Sequence, residues 1–239
     1  MAKRNTHEKE SKRNYEVQRI ETFSDGVFAF AVTLLIVSLE VPKNFEELMI
    51  NIRGFFAFGI SFILLVLIWT EQHKFFRKYG LEDDWTIVLN VALLFLVLFY
   101  VYPLKFLFSL PFNNQIYSGA QVKPPITDVQ VPSLMEIYAI GYIAIYLLFT
   151  LMYLHAYKRA DFLQLTAVEK FDCKTNVYKQ MIVGIVGICA LFSAMLVPLA
   201  YAGFTGFVYV LIGPALTVFF SVRTRIRKRE FQVAQVSSD

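Results

Sequence analysis

The sequence predicts an all-α integral membrane protein with six transmembrane helices and both termini cytoplasmic. Three observations lead there. Hydrophobic residues make up 56% of the 239 residues, above the roughly 45–50% of soluble domains even with glycine counted. Charged residues fall to 18%, below the usual ~25%. Six apolar segments each approach the ~20 residues that a helix needs to cross a ~30 Å hydrocarbon core. This balance excludes a disordered chain, a disulfide scaffold and an ordinary soluble enzyme.

The segments run over Ile20–Val41, Ile50–Thr70, Trp85–Leu110, Leu134–Tyr157, Lys179–Ala200 and Phe204–Ser221. Pro42 closes the first, because proline cannot continue a helix interior. Asp83 and Asp84 precede the third, where acidic groups suit the positive end of a helix dipole. Ser133 to Glu136 reads as a capping box that opens the fourth. A tight turn around Gly203 and Gly206 is expected between the fifth and sixth. The one long loop, between the third and fourth, carries Pro111, Gly119, Pro124, Pro125 and Pro132. Residues 1–19 are then a cytoplasmic tail, 20–221 the six-helix transmembrane domain and 222–239 a second cytoplasmic tail.

Lysine and arginine orient the chain. The N-terminal tail through Arg19 carries six, the loop after the second segment three, the loop after the fourth five, and the C-terminal tail five. The opposite side carries only Lys43, Arg53 and Lys123, and Lys105 lies inside the third segment. This asymmetry places both termini in the cytoplasm. The first segment is too long, and the tail before it too charged, for a cleaved signal peptide, so it is expected to be retained. Arg223, Arg225, Arg227, Lys228 and Arg229 read as a topology signal that meets lipid headgroups. Cys173 and Cys189 are not spaced as a metal site and are not expected to pair.

The first segment carries the information. Asp25 lies about five residues into it, roughly 7–8 Å at 1.5 Å per residue. An ionisable group facing lipid there costs about 2–3 kcal/mol or more, so it must face other helices, water or a partner. Arg19 lies roughly 240° around the helix from it and is not its intrahelical partner. Ser24 and Asp25 are therefore expected to bond to other helices. His73, at the end of the second segment, and Asn90, near the start of the third, lie at the same depth.

Arg19-x-x-x-Phe23-Ser24-Asp25 is similar to the R-x-x-x-F-S-D signature of the lysosomal potassium channel family (transmembrane protein 175), including its shorter prokaryotic members. The likeness continues through Gly26, the alternating Phe/Ala stretch and Thr33-Leu34-Leu35. It implies a homotetramer in which four first helices line one pore, with potassium favoured over sodium and no cofactor beyond the permeant ion. The chain has no T-V-G-Y-G segment, so a carbonyl-ring filter of that type is not expected. By resemblance, Phe30, Leu34 and Val37 form the gate, and their spacing places them on one helix face. Stacked apolar rings of this kind gate by dewetting. Phe30 departs from the Ile or Leu usual in the family, which leaves open whether Phe30 or Leu34 is narrowest. Thr33 is implied in selectivity, with a bond to its own i−4 carbonyl as the competing reading. Ser38 offers a hydroxyl to an ion and Glu40 a charge at the outer mouth. A chain with a single six-helix unit suits a prokaryotic plasma membrane, or a lysosomal or endosomal membrane in a eukaryote.

Two other functions compete. A secondary transporter or proton-coupled cation carrier would show repeats and midplane ionisable groups; no repeat is evident, although Pro103, Pro198 and Pro214 are able to break spans. A membrane enzyme would need a cluster of nucleophile, base or metal ligands. No H-E-x-x-H or G-x-S-x-G is present, and His7, His73 and His155 are far apart. The expected partners are further copies of the chain, the bilayer and monovalent cations, and not nucleic acid.

Overall fold

The computed structural model describes residues 19–37, 43–117 and 126–236. Within them lie six α-helices: α1 (Arg19–Val37), α2 (Phe45–Tyr79), α3 (Asp84–Tyr117), α4 (Val131–Lys158), α5 (Ala167–Leu196) and α6 (Ile212–Val236). Five stretches are long and apolar enough to cross a membrane: Gly54–Tyr79, Asp84–Leu110, Val131–Lys158, Ala167–Leu196 and Gly203–Glu230. The 19 residues of α1 span roughly 28 Å at 1.5 Å per residue, close to one hydrocarbon core. Large apolar side chains such as Phe55, Phe95 and Ile185 lie on the outside. In a bilayer, lipid or further subunits cover such a surface. The protein is an integral membrane protein of the expected all-α class.

The chain divides into two compact units, Met1–Thr127 and Asp128–Asp239. In the first, α1, α2 and α3 pack on one another. Glu21, Ser24, Phe28, Ala31 and Leu35 form the buried stripe of α1, and their steps of three and four residues keep them on one face. α2 ends where Gly80 adopts φ 55° and its N–H donates to the Phe76 carbonyl at 2.8 Å, a left-handed stop that glycine makes at little cost. Asp83 precedes α3 as expected: its carboxylate accepts from the Thr86 hydroxyl at 2.6 Å, and its carbonyl from the Ile87 N–H at 3.0 Å.

In the second unit α5 packs against α4 and α6. Gly187 packs closely on α4, where a Cβ would stand 2.7 Å from Tyr142 Cδ1. Small residues let membrane helices close up in this way. Arg223 Nη2 and Nε donate to Thr175 Oγ1 at 2.8 and 3.0 Å, with the guanidinium 4.0 Å from the Phe171 ring centre. Arg227 stands 3.5 Å from Asp172. Two of the five clustered basic residues thus fasten α6 to α5, a role beyond the topology signal expected of them.

Several sequence expectations are corrected. The helices outrun the apolar segments: α2 continues through Arg77 and Lys78, and α5 begins at Ala167, twelve residues before Lys179. Ser133 and Glu136 lie inside α4, which starts at Val131 with Pro132 in its first turn. The capping box is instead at Thr166 and Glu169, opening α5. Its carboxylate accepts from the Thr166 N–H at 2.8 Å. No tight turn forms around Gly203 and Gly206; both lie in a 3₁₀ helix over Leu199–Leu211. Side chains three apart eclipse there, and Phe204 stacks on Phe207 at 6.0 Å. The break before it falls at Val197, whose backbone is extended (φ −78°, ψ 135°), as expected of a residue before proline. Ser38, Glu40, Pro42, Gly119, Lys123, Pro124 and Pro125 lie outside the described residues.

Candidate functional site

The site grows from the two-sidedness of α1. Its buried face is polar toward the N-terminal end and apolar beyond. Ser24, fully buried, donates to the Ile20 carbonyl at 2.7 Å and accepts from Asn90 Nδ2 on α3 at 2.9 Å. Asn90 Oδ1 in turn accepts from Gln72 Nε2 on α2 at 3.0 Å. One buried amide thus ties three helices together. Removed from water, each of these groups needs a partner. The Gln72 amide oxygen is the member left without a hydrogen bond.

A second cluster flanks the first. Trp69 Nε1 donates to Asp25 Oδ1 at 2.7 Å, and the indole stacks on His73 with ring centres 5.3 Å apart. His73 Nδ1 stands 2.8 Å from Glu21 Oε1, an ion pair when the imidazole is protonated, though not aligned as a hydrogen bond. The sequence placed Ser24, Asp25, His73 and Asn90 at one depth, and the structure brings all four together in two separate sets. Ser24 meets Asn90 as expected, whereas Asp25 meets neither Asn90 nor His73. Glu21, Trp69 and Gln72 were missed. Their signal was positional: residues 69, 72 and 73 share one face of α2, and Glu21 is one turn from Asp25 on α1. Arg19 lies exposed, and no Arg19–Asp25 pair forms among the described residues.

The opposite face of α1 is exposed among the described residues of the unit. Phe23 is 59% exposed and Phe30 56%, one heptad apart on the same side. Gly26, Ala29 and Thr33 are exposed beside them, and Leu34 is half-buried on the flank. Phe30 and Leu34 thus do not present themselves equally. Val37 ends α1, and its side chain lies outside the described residues. The Thr33 hydroxyl donates to the Ala29 carbonyl at 3.0 Å. This is the i−4 bond of the competing reading, and it leaves the hydroxyl oxygen its lone pairs.

Comparison with known proteins fixes the family. The model of the endosomal/lysosomal potassium channel TMEM175 family matches residues 19–100. A potassium channel of Marivirga tractuosa is 37% identical over 231 residues, covering 92% of this chain and 93% of that one. The chain belongs to the TMEM175 family. A potassium channel of Chamaesiphon minutus is 31% identical over 121 residues, 47% of this chain and 60% of its own. Among solved structures, a threonine-to-alanine variant of the potassium channel MtTMEM175, bound to a nanobody–MBP fusion, superposes with a TM-score of 0.76. It is 36% identical, over 89% of this chain and 96% of that one. The lysosomal potassium-selective channel TMEM175 homolog from Chamaesiphon minutus, at 22% identity and a TM-score of 0.55 over 86% of this chain and 96% of its own, shares the fold. TMEM175 proteins are channels, and this member is not an enzyme.

Proposed function

We propose that this TMEM175 protein is a potassium-favouring cation channel in which four copies of α1 surround a central conduit. The observation that carries the reading is the division of α1 into a tethered face and an exposed one. Ser24 and Asp25 hold one side against α2 and α3, while Phe23, Gly26, Ala29, Phe30 and Thr33 look away from the unit. A helix with glycine and alanine on its open face lets neighbouring backbones approach closely. Phe30 and Leu34, with Val37 beyond, then supply the apolar rings that close the path by dewetting. Thr33, between the first two, supplies the oxygens that replace part of an ion's hydration. Discrimination of potassium from sodium rests on these rings rather than on a carbonyl filter. No cofactor is required, and the likeness to channels of Marivirga tractuosa and Chamaesiphon minutus suits a prokaryotic plasma membrane.

The test is conduction by the purified protein in a planar bilayer under a potassium gradient. Leu34→Asn and Phe30→Asn wet the constriction and raise basal conductance. Unchanged current in both variants, with wild-type current present, refutes the gate. Subunit counting on the same preparation reads four.

A further inference from the structure

Lys105 is a half-buried basic residue within a span, and the topology signal does not use it. It sits on α3 five residues before the end of the span at Leu110. Lys105 Nζ donates to the Leu35 backbone carbonyl of α1 at 3.3 Å. Two ties now relate α1 to α3, Ser24 with Asn90 and Leu35 with Lys105. They occur in the same order along both helices, so α1 and α3 run in parallel. From Ser24 to Leu35 is roughly 16 Å of helix, and from Asn90 to Lys105 roughly 22 Å. The surplus of about 6 Å is the reach of a lysine side chain, which points back toward the N-terminal end of its own helix. The ammonium is thereby drawn inward, against the usual outward snorkelling of a lysine near a membrane surface.

We propose that Lys105 is a positioning residue for the conduit: it holds the outer turn of α1, and with it the Leu34 ring, by donating to the Leu35 carbonyl. The inference rests on the reading that α1 lines the conduit. It assigns α3 a second contribution beyond Asn90, at the opposite end of the pore helix.

The experiment records single channels from wild type, K105M, K105R and L34N in planar bilayers. Melting temperature and elution volume in detergent are measured alongside. K105M removes the donor at nearly constant volume. Loss of a charge-assisted hydrogen bond changes open probability roughly tenfold or more, and the potassium–sodium reversal potential moves with it. K105R, which keeps donor and charge, returns both toward wild type. Wild-type gating and reversal potential in a folded K105M, or an Arg variant indistinguishable from the Met one, overturns the proposal. Should K105M not fold, K105Q is read in its place against the same outcomes. L34N separates the two layers. If it changes conductance while K105M does not, the pore reading stands and the Lys105 role fails; if L34N is silent, the pore reading itself has failed.

Discussion

Removing the hydroxyl of Ser24 and the amide of Asn90, singly and together, isolates the bond that fastens the pore-helix candidate to its neighbours. Both side chains are fully buried, so no bulk water replaces the lost partner. Ser24→Ala leaves Asn90 Nδ2 without its acceptor, and costs about 1 kcal/mol. Asn90→Ala strands more: it frees Ser24 and also takes the acceptor from Gln72 Nε2, whose amide oxygen already has no hydrogen-bond partner. With two buried polar groups affected, its cost is about 2–4 kcal/mol. The coupling between the two substitutions reports the direct bond. In membrane helices such couplings average about 0.6 kcal/mol and reach about 1.7. A fully buried 2.9 Å bond belongs in the upper half, at about 1–1.7 kcal/mol on that scale. The assay is reversible unfolding of the purified protein in mixed micelles, read as a four-member cycle. A coupling within about 0.3 kcal/mol of zero means the bond contributes nothing, and the tether reasoning fails.

Asp25→Ala leaves the Trp69 indole N–H without its acceptor and lowers the yield of assembled protein, while the reversal potential of surviving channels stays at the wild-type value; electrophysiology showing altered ion preference in a stable assembly contradicts this. Thr33→Ala removes the hydroxyl lone pairs and reduces potassium-over-sodium discrimination, checked by bi-ionic reversal potentials. Gly187→Val forces a Cβ to within 2.7 Å of Tyr142. It overpacks the α4–α5 contact by about 1–3 kcal/mol and lowers the melting temperature without touching selectivity.

The spans were legible because lipid imposes composition: a run of about 20 apolar residues leaves few other readings. Their ends were not, because helices continue past the bilayer where that constraint lapses. Arg77, Lys78 and the stretch from Ala167 look like loop by hydropathy, yet hydrogen-bond within helices. The capping-box pattern occurs at both Ser133 and Thr166, and only the backbone before each, with Pro132 beside one, decides between them. Depth made the Ser24–Asn90 pair legible. The Asp25–Trp69 and Glu21–His73 pairs were not, since two acids and two partners at one level pair in more than one way. Helix rotation, which a single sequence does not encode visibly, selects among them. The two-residue interval between Phe28 and Phe30 hides a similar choice: one is 4% exposed and the other 56%, and only the tether's phase separates them.

The two ties on α1 pose a mechanical question that the same measurements answer. Ser24 and Leu35 lie roughly 16 Å apart along the helix, beyond the ~7–10 Å at which substitutions usually couple. Between them Phe28 and Ala31 are buried at 4% and 0% exposure, so packing holds the middle of the helix on its own. The losses from Ser24→Ala and K105M should then add to within about 0.5 kcal/mol in unfolding. Coupling above about 1 kcal/mol requires the opposite picture, with α1 pivoting as a stiff rod once either end is released. In that case packing at Phe28 is not enough to fix the rings, and each tie acts on the gate through the whole length of the helix. A helix clamped independently at both ends instead confines any gating displacement to the side chains of its open face. The additivity of two stability measurements therefore distinguishes side-chain gating from movement of the whole helix before any open structure is seen.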